Sequence, residues 1–84
     1  MEGTKWHVVE CTNFNKDLAA YEETRIMDSI PFEEAKEFIK DNQDSDRILY
    51  AYLPQTFGGM AGCIWNDAYT KAQKKITKYA KLID

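Results

Sequence analysis

The sequence predicts a small α+β fold: a β-sheet of about three strands in β-β-α-β-α order, two helices packed on one face, and a long C-terminal helix. Three observations predict it. Lys5 to Thr12 alternates with period two and is rich in β-formers. Arg47 to Leu53 is an almost unbroken apolar and aromatic run closed by Pro54. Two further stretches repeat apolar residues every three to four positions, as amphipathic helices do. The 84 residues are 44% hydrophobic and 30% charged, with four glycines and two prolines. That balance excludes collagenous, mucin-like and wholly disordered chains and fits one compact domain over residues 1–84. A chain this short buries only about 60–65% of its unfolded surface, so its core is thin. The two Trp, five Tyr and four Phe compensate, because each ring buries a large area.

In the first segment Trp6, Val8 and Glu10 share one strand face and His7, Val9 and Cys11 the other. Asn13 to Asp17 is turn chemistry. Leu18 to Asp28 admits two readings: Asp17 can cap a helix there, or Tyr21–Met27 can return as the second arm of a hairpin. The hairpin pairs locally and protects the edge of the first strand, which favours a strand over Tyr21–Met27. Ser29 then serves as a helix cap, with Pro31 in the first turn and Glu33 and Glu34 near the positive end of the dipole. Phe32, Ala35, Phe38 and Ile39 make one apolar stripe, and the loop Asp41–Asp46 ends the helix. Ile48, Tyr50 and Tyr52 lie opposite Leu49, Ala51 and Leu53, and both faces of this strand are apolar enough to be half-buried. From Met60 or Cys63 to Leu82 the chain reads as one helix with Lys71, Lys74, Lys75, Lys78 and Lys81 facing out.

Cys11 and Cys63 are far apart in sequence and have no C-x-x-C spacing, so two free thiols in a reducing compartment are expected. The start of the chain has no apolar run with a cleavage site, and no stretch approaches membrane-spanning length. A cytoplasmic location without membrane contact is the expectation.

Among motifs that carry chemistry, Gly58-Gly59-Met60-Ala61-Gly62 before a helix suggests an anion-binding turn but lacks the P-loop Lys-Ser/Thr. Three carboxylates in Asp41–Asp46 suggest calcium but lack the glycine and closing Glu of an EF-hand loop. Cys63 with His7 as base would make a small thiol enzyme, the weakest of three functional readings. No cofactor, metal or catalytic residue is assigned.

Charge is lopsided. Residues 1–60 carry −6 and residues 61–84 carry +3 within a formal net charge of −3. This polarity, with some of the aromatics Trp6, Phe14, Tyr21, Tyr52 and Phe57 expected at the surface, favours a non-catalytic protein-binding module of adaptor, subunit or inhibitor type. An inhibitor encoded by a mobile element fits the size and charge. The expected contact residues are Glu10, Asp17, Tyr21, Glu22, Glu23, Glu34, Tyr52 and Phe57. The alternative is a nucleic-acid-binding accessory protein acting through Lys71, Lys74, Lys75, Lys78 and Lys81, with Tyr50 and Tyr52 as a stacking platform. A homodimer through the apolar seam of the long last helix is a further expectation.

Overall fold

A computed structural model describes residues 5–55 and 59–83. Its elements are β1 (Trp6–Asn15), β2 (Ala20–Ile30), α1 (Phe32–Asp41), β3 (Ile48–Pro54), β4 (Met60–Trp65) and α2 (Asp67–Ile83). The strands form one antiparallel sheet in the order β2-β1-β3-β4. The α+β class and the C-terminal helix are as expected, but the sheet has four strands rather than three. The residues Met60–Trp65, assigned from sequence to the last helix, form the edge strand β4. Gly59 turns the chain into it with φ +80°, a left-handed angle that glycine adopts without strain. The glycine run therefore leads into a strand, not a helix N-terminus, and Gly58 lies outside the described residues.

The β1–β2 hairpin resolves the ambiguous segment as a strand. Asn15 Oδ1 accepts the N–H groups of Asp17 and Leu18 at 2.9 and 3.2 Å, so Asp17 belongs to the reversing turn and caps no helix. β2 runs on through Ser29, which has φ 53° and does not cap α1. Pro31 takes the cap position, its carbonyl accepting from Glu34 and Ala35 N–H at 3.1 Å each.

The helices lie on opposite faces of the sheet, not on one. Strand alternation explains this. Val8 and Trp6 of β1 join Leu49 and Ala51 of β3 under Ala35 and Ile39 of α1, with Phe32, Phe38 and Ile64 packed around them. Val9 and Cys11 project the other way with Tyr50, among Ile48, Tyr52, Cys63 and Tyr69 of α2. One face is thus mainly aliphatic and closed by α1. The other is rich in tyrosine and partly covered by α2. Trp6, one of five aromatics of which some were expected at the surface, is buried, with its ring 4.9 Å from Phe32. It reaches beneath β4 because Gly62 has no side chain: a Cβ there would stand 3.2 Å from Trp6 Cη2.

Asn66 joins the layers. It is 1% exposed and sits between β4 and α2. Its Oδ1 accepts from Leu49 N–H at 3.2 Å and from Tyr69 N–H at 3.1 Å, the second being a helix cap. Its Nδ2 donates to the carbonyls of Asn42 at 2.9 Å and Arg47 at 2.7 Å. Its own N–H and carbonyl pair with Leu49 and Thr70. One side chain therefore ties together the loop after α1, the start of β3 and the start of α2.

Asn66→Ala would strand two buried N–H groups and two carbonyls. Its unfolding free energy in urea should fall by about 3 kcal/mol or more, against ~1 kcal/mol for an ordinary lost cap. Asn66→Asp keeps the accepted bonds but turns a carboxylate towards two carbonyl oxygens, which raises its folded-state pKa. Its stability should be highest below the unfolded carboxyl pKa of about 3.9 and fall as pH rises.

Candidate functional site

The tyrosine-rich face carries the most organised set of surface side chains. His7 of β1 pairs with Tyr52 of β3, which pairs with Cys63 of β4, while Val9, Tyr50 and Trp65 form the next row. Residues opposite one another share a face, so rings gather there. Ring centroids lie 5.3 Å apart for His7–Tyr52, 6.0 Å for Tyr52–Tyr50, 5.1 Å for Tyr50–Tyr69 and 5.9 Å for Tyr69–Trp65. These five rings make an unbroken chain across β1, β3, α2 and β4, at separations where aromatic pairs attract. Trp65 closes it at the sheet edge, 48% exposed.

The charged groups of β2 border this chain. Tyr50 O–H donates to Glu23 Oε1, and Arg25 Nη2 donates to the Tyr52 hydroxyl at 2.9 Å. Asp28 Oδ1 lies 2.5 Å from His7 Nδ1 and 3.7 Å from Arg25 Nη1. Burial, then the bond to Glu23, pushes the Tyr50 phenol far above its ordinary range, so it stays a donor. α2 places its rings near Tyr50 and Phe14, leaving Tyr52 and His7 to neighbours within the sheet. Midway along α2, Lys75 Nζ stands 4.4 Å above the Phe14 ring and 6.0 Å from Tyr21.

The expected contact residues do not form one patch. Glu23 and Tyr52 belong to this surface, and Tyr21 lies on the same face beside Phe14. Glu22 pairs with Thr12 and accepts from Asn13 Nδ2, one position out of phase with Glu23, so it points to the opposite side. Glu10 also faces away and takes two bonds from Arg47, at 3.0 and 3.1 Å, while Arg47 stands over Phe38 of α1. Asp17 is in the hairpin turn and Glu34 on the outer side of α1. Phe57 lies outside the described residues. Lys71, Lys74, Lys75, Lys78 and Lys81 are all exposed on α2, whereas its apolar seam of Tyr69, Ala72 and Ile76 faces this chain's own sheet. Further along α2, Tyr79 and Ala80 are half-buried and Leu82 is 74% exposed. Arg25 and Trp65 were missed in the sequence, and His7 was read only as a base for Cys63. Period-two spacing on β2 could have found Arg25, but Trp65 was masked by its place in an apparent helical seam.

Three features test other chemistry. The cleft under α2, lined by Cys11, Glu23, Tyr50 and Ile76 among others, holds about 220 Å³. This is below the ~300–1,000 Å³ of sites that enclose a small ligand. Open grooves flank α2, one between Asp44, Asp46 and Lys71 and one along Trp65, Thr70 and Thr77. Among the described residues no group of three or more His, Cys, Asp or Glu side chains is placed to hold a metal. The Asp41–Asp46 loop is a turn closed by its own bonds, with Asn42 Nδ2 reaching the Phe38 carbonyl at 2.9 Å. Both cysteines are free, and β3 stands between their strands. The same spacing puts Cys63 and His7 two strands apart, about 9.5 Å. Burial raises the Cys63 thiol and pushes Cys11 up to about 11, away from a reactive thiolate. No described helix is long and apolar enough to cross a membrane.

Comparison with protein-family models, curated proteins and solved structures gives no match.

Two measurements check these assignments. Alkylation by iodoacetamide near pH 7.5 should be slower at both thiols than for free cysteine, and Cys11 should react chiefly on unfolding. Arg47 holds the Glu10 carboxyl below its ordinary 4.5. A lowered folded-state pKa contributes stability above the unfolded value that is lost as pH falls through the folded one. Glu10→Gln should therefore cost under ~1 kcal/mol at pH 7, because the pair is solvent-screened. The difference from wild type should vanish in acid.

Proposed function

We propose that this chain is a non-catalytic protein-binding module, of adaptor, subunit or inhibitor type, that docks its partner on the tyrosine-rich face of the sheet. The observation that supports this most is the five-ring chain from His7 to Trp65, bordered by Glu23, Arg25 and Asp28. Tyrosine, tryptophan and arginine are the residues that supply most binding energy at protein interfaces. Here their rotamers are already held by hydrogen bonds and ring contacts, so docking orders fewer side chains. Glu23 and Asp28 beside Arg25 suit a partner with mixed charge at its rim. The −6 charge of residues 1–60 favours encounter with a basic one.

The lysines of α2 carry a second reading. All five are exposed, and among the described residues none pairs with a carboxylate, which suits a phosphate backbone. Tyr50 and Tyr52 do not serve that reading as a stacking platform, since Tyr50 is buried and both hydroxyls are bonded to β2.

Affinity capture from the source cell should retain a partner on wild type and on Glu34→Lys, which alters the far side of the molecule. It should lose that partner with Tyr52→Ala or Trp65→Ala while circular dichroism stays unchanged. Salt-sensitive retention on DNA that disappears in Lys74/Lys75/Lys78→Glu, with capture indifferent to Tyr52 and Trp65, would replace this reading with the nucleic-acid one.

A further inference from the structure

One imidazole nitrogen faces two groups that ask opposite things of it. Trp6 pairs with Ile30 and Val8 with Met27, so His7 alone stands opposite both Asp28 and Ser29, a bulge in β2. The bulge holds Ser29 at φ 53°, a left-handed angle uncommon for a residue with a side chain. The Ser29 N–H points at His7 Nδ1, 3.3 Å away, and needs a lone pair there. Asp28 Oδ1 lies 2.5 Å from the same nitrogen and needs a proton there. An imidazole nitrogen is either a donor or an acceptor, never both at once. The two partners differ in freedom. The Ser29 N–H is backbone, fixed by the bulge. The Asp28 side chain is 63% exposed, against 12% for His7, and has Arg25 Nη1 at 3.7 Å and the Ser29 hydroxyl at 3.4 Å as other partners. The carboxylate is therefore the group that moves.

We propose that His7 is a pH-sensitive latch on the border of the tyrosine-rich face. With a proton on both ring nitrogens, His7 holds Asp28 by a charge-assisted bond from Nδ1. Once solvent has taken the Nδ1 proton, the lone pair left there accepts the Ser29 N–H and repels the carboxylate, which swings to Arg25. Histidine is the side chain whose charge ordinarily changes between about pH 5 and 8. A largely buried ring with two mutually exclusive hydrogen-bond arrangements is the two-state element that such a change biases. The titratable and charged groups around it are Lys5 two residues back along the chain, Asp28 and Arg25 on β2, the Tyr52 hydroxyl on β3 and, one strand further, the Cys63 thiol on β4. Arg25 carries the change inward, because its other amino group donates to the Tyr52 hydroxyl at 2.9 Å. Acid thus leaves Arg25 to Tyr52 alone, and loss of the proton ties it to Asp28 as well. As regulation of docking this rests on the function proposed above; as a rearrangement of the free chain it does not.

The chain has a single histidine, so its imidazole signals are unambiguous. NMR of the isotope-labelled full chain, with no partner present, should find the neutral ring carrying its proton on Nε2 at about pH 8. Towards about pH 5 the Ser29 amide and the Arg25 guanidinium should shift along the same curve as the imidazole. Hydrogen-exchange protection of the Ser29 amide should fall roughly tenfold over that range as it loses its acceptor. Asp28→Asn, at an exposed position, removes the group that moves: the Arg25 signal should then stay still while Ser29 follows His7 as before. His7→Phe keeps a ring against Tyr52 and should abolish the response of both. A neutral ring with its proton on Nδ1, a Ser29 amide equally protected at both ends of the titration, or an Arg25 shift that survives Asp28→Asn would overturn the proposal. Partner capture by the Tyr52 and Trp65 variants bears only on the docking surface, so the two readings fail separately.

Discussion

The structure depends on a buried amide. Asn66 stands where β4 ends, β3 begins, α2 starts and the loop after α1 passes, and each of these segments brings a backbone group that no ladder or helix satisfies. A neutral side chain with two acceptor lone pairs and two donors is what such a junction needs. A hydrophobic residue would leave all four groups unpaired, and a charged one would match only half of them. By fixing the first turn of α2 relative to β3, Asn66 also sets where Tyr69 meets Tyr50, and so where the helical part of the ring chain joins the sheet.

From that junction the sheet divides its duties between odd and even positions. Val8, Leu49 and Ala51 are fully buried under α1 and form a dry aliphatic layer. Their neighbours Val9, Tyr50 and Tyr52 support rings whose polar ends are held by β2. A small domain with a thin core can keep an aromatic surface this ordered because stability rests largely on the other face.

Much of this was legible in the sequence. Period-two alternation placed β1 and β3, and the stripe Phe32, Ala35, Phe38, Ile39 placed α1. The apolar character of both faces of β3 already called for cover on each side, which a helix pair on one face cannot supply. β4 was hidden by its length: a short apolar run fits a strand or an extension of the helix after it, and periodicity does not separate the two. Asn66-Asp67 was the available signal, a cap followed by an acid in the first turn. The surface around Tyr52 was less accessible, since Glu23–Tyr50 and Arg25–Tyr52 join residues 27 apart in the chain, and their meeting follows from strand register alone.

The missing side chain at Gly62 has an optical consequence. Because Trp6 slides beneath β4 there, one indole sits in a dry layer at 8% exposure while the other, Trp65, stands at the rim at 48%. The molecule therefore carries two chromophores with distinct emission. Trp6 reports whether the sheet is assembled, Trp65 what is happening at its edge, and either can be replaced by phenylalanine to isolate the other.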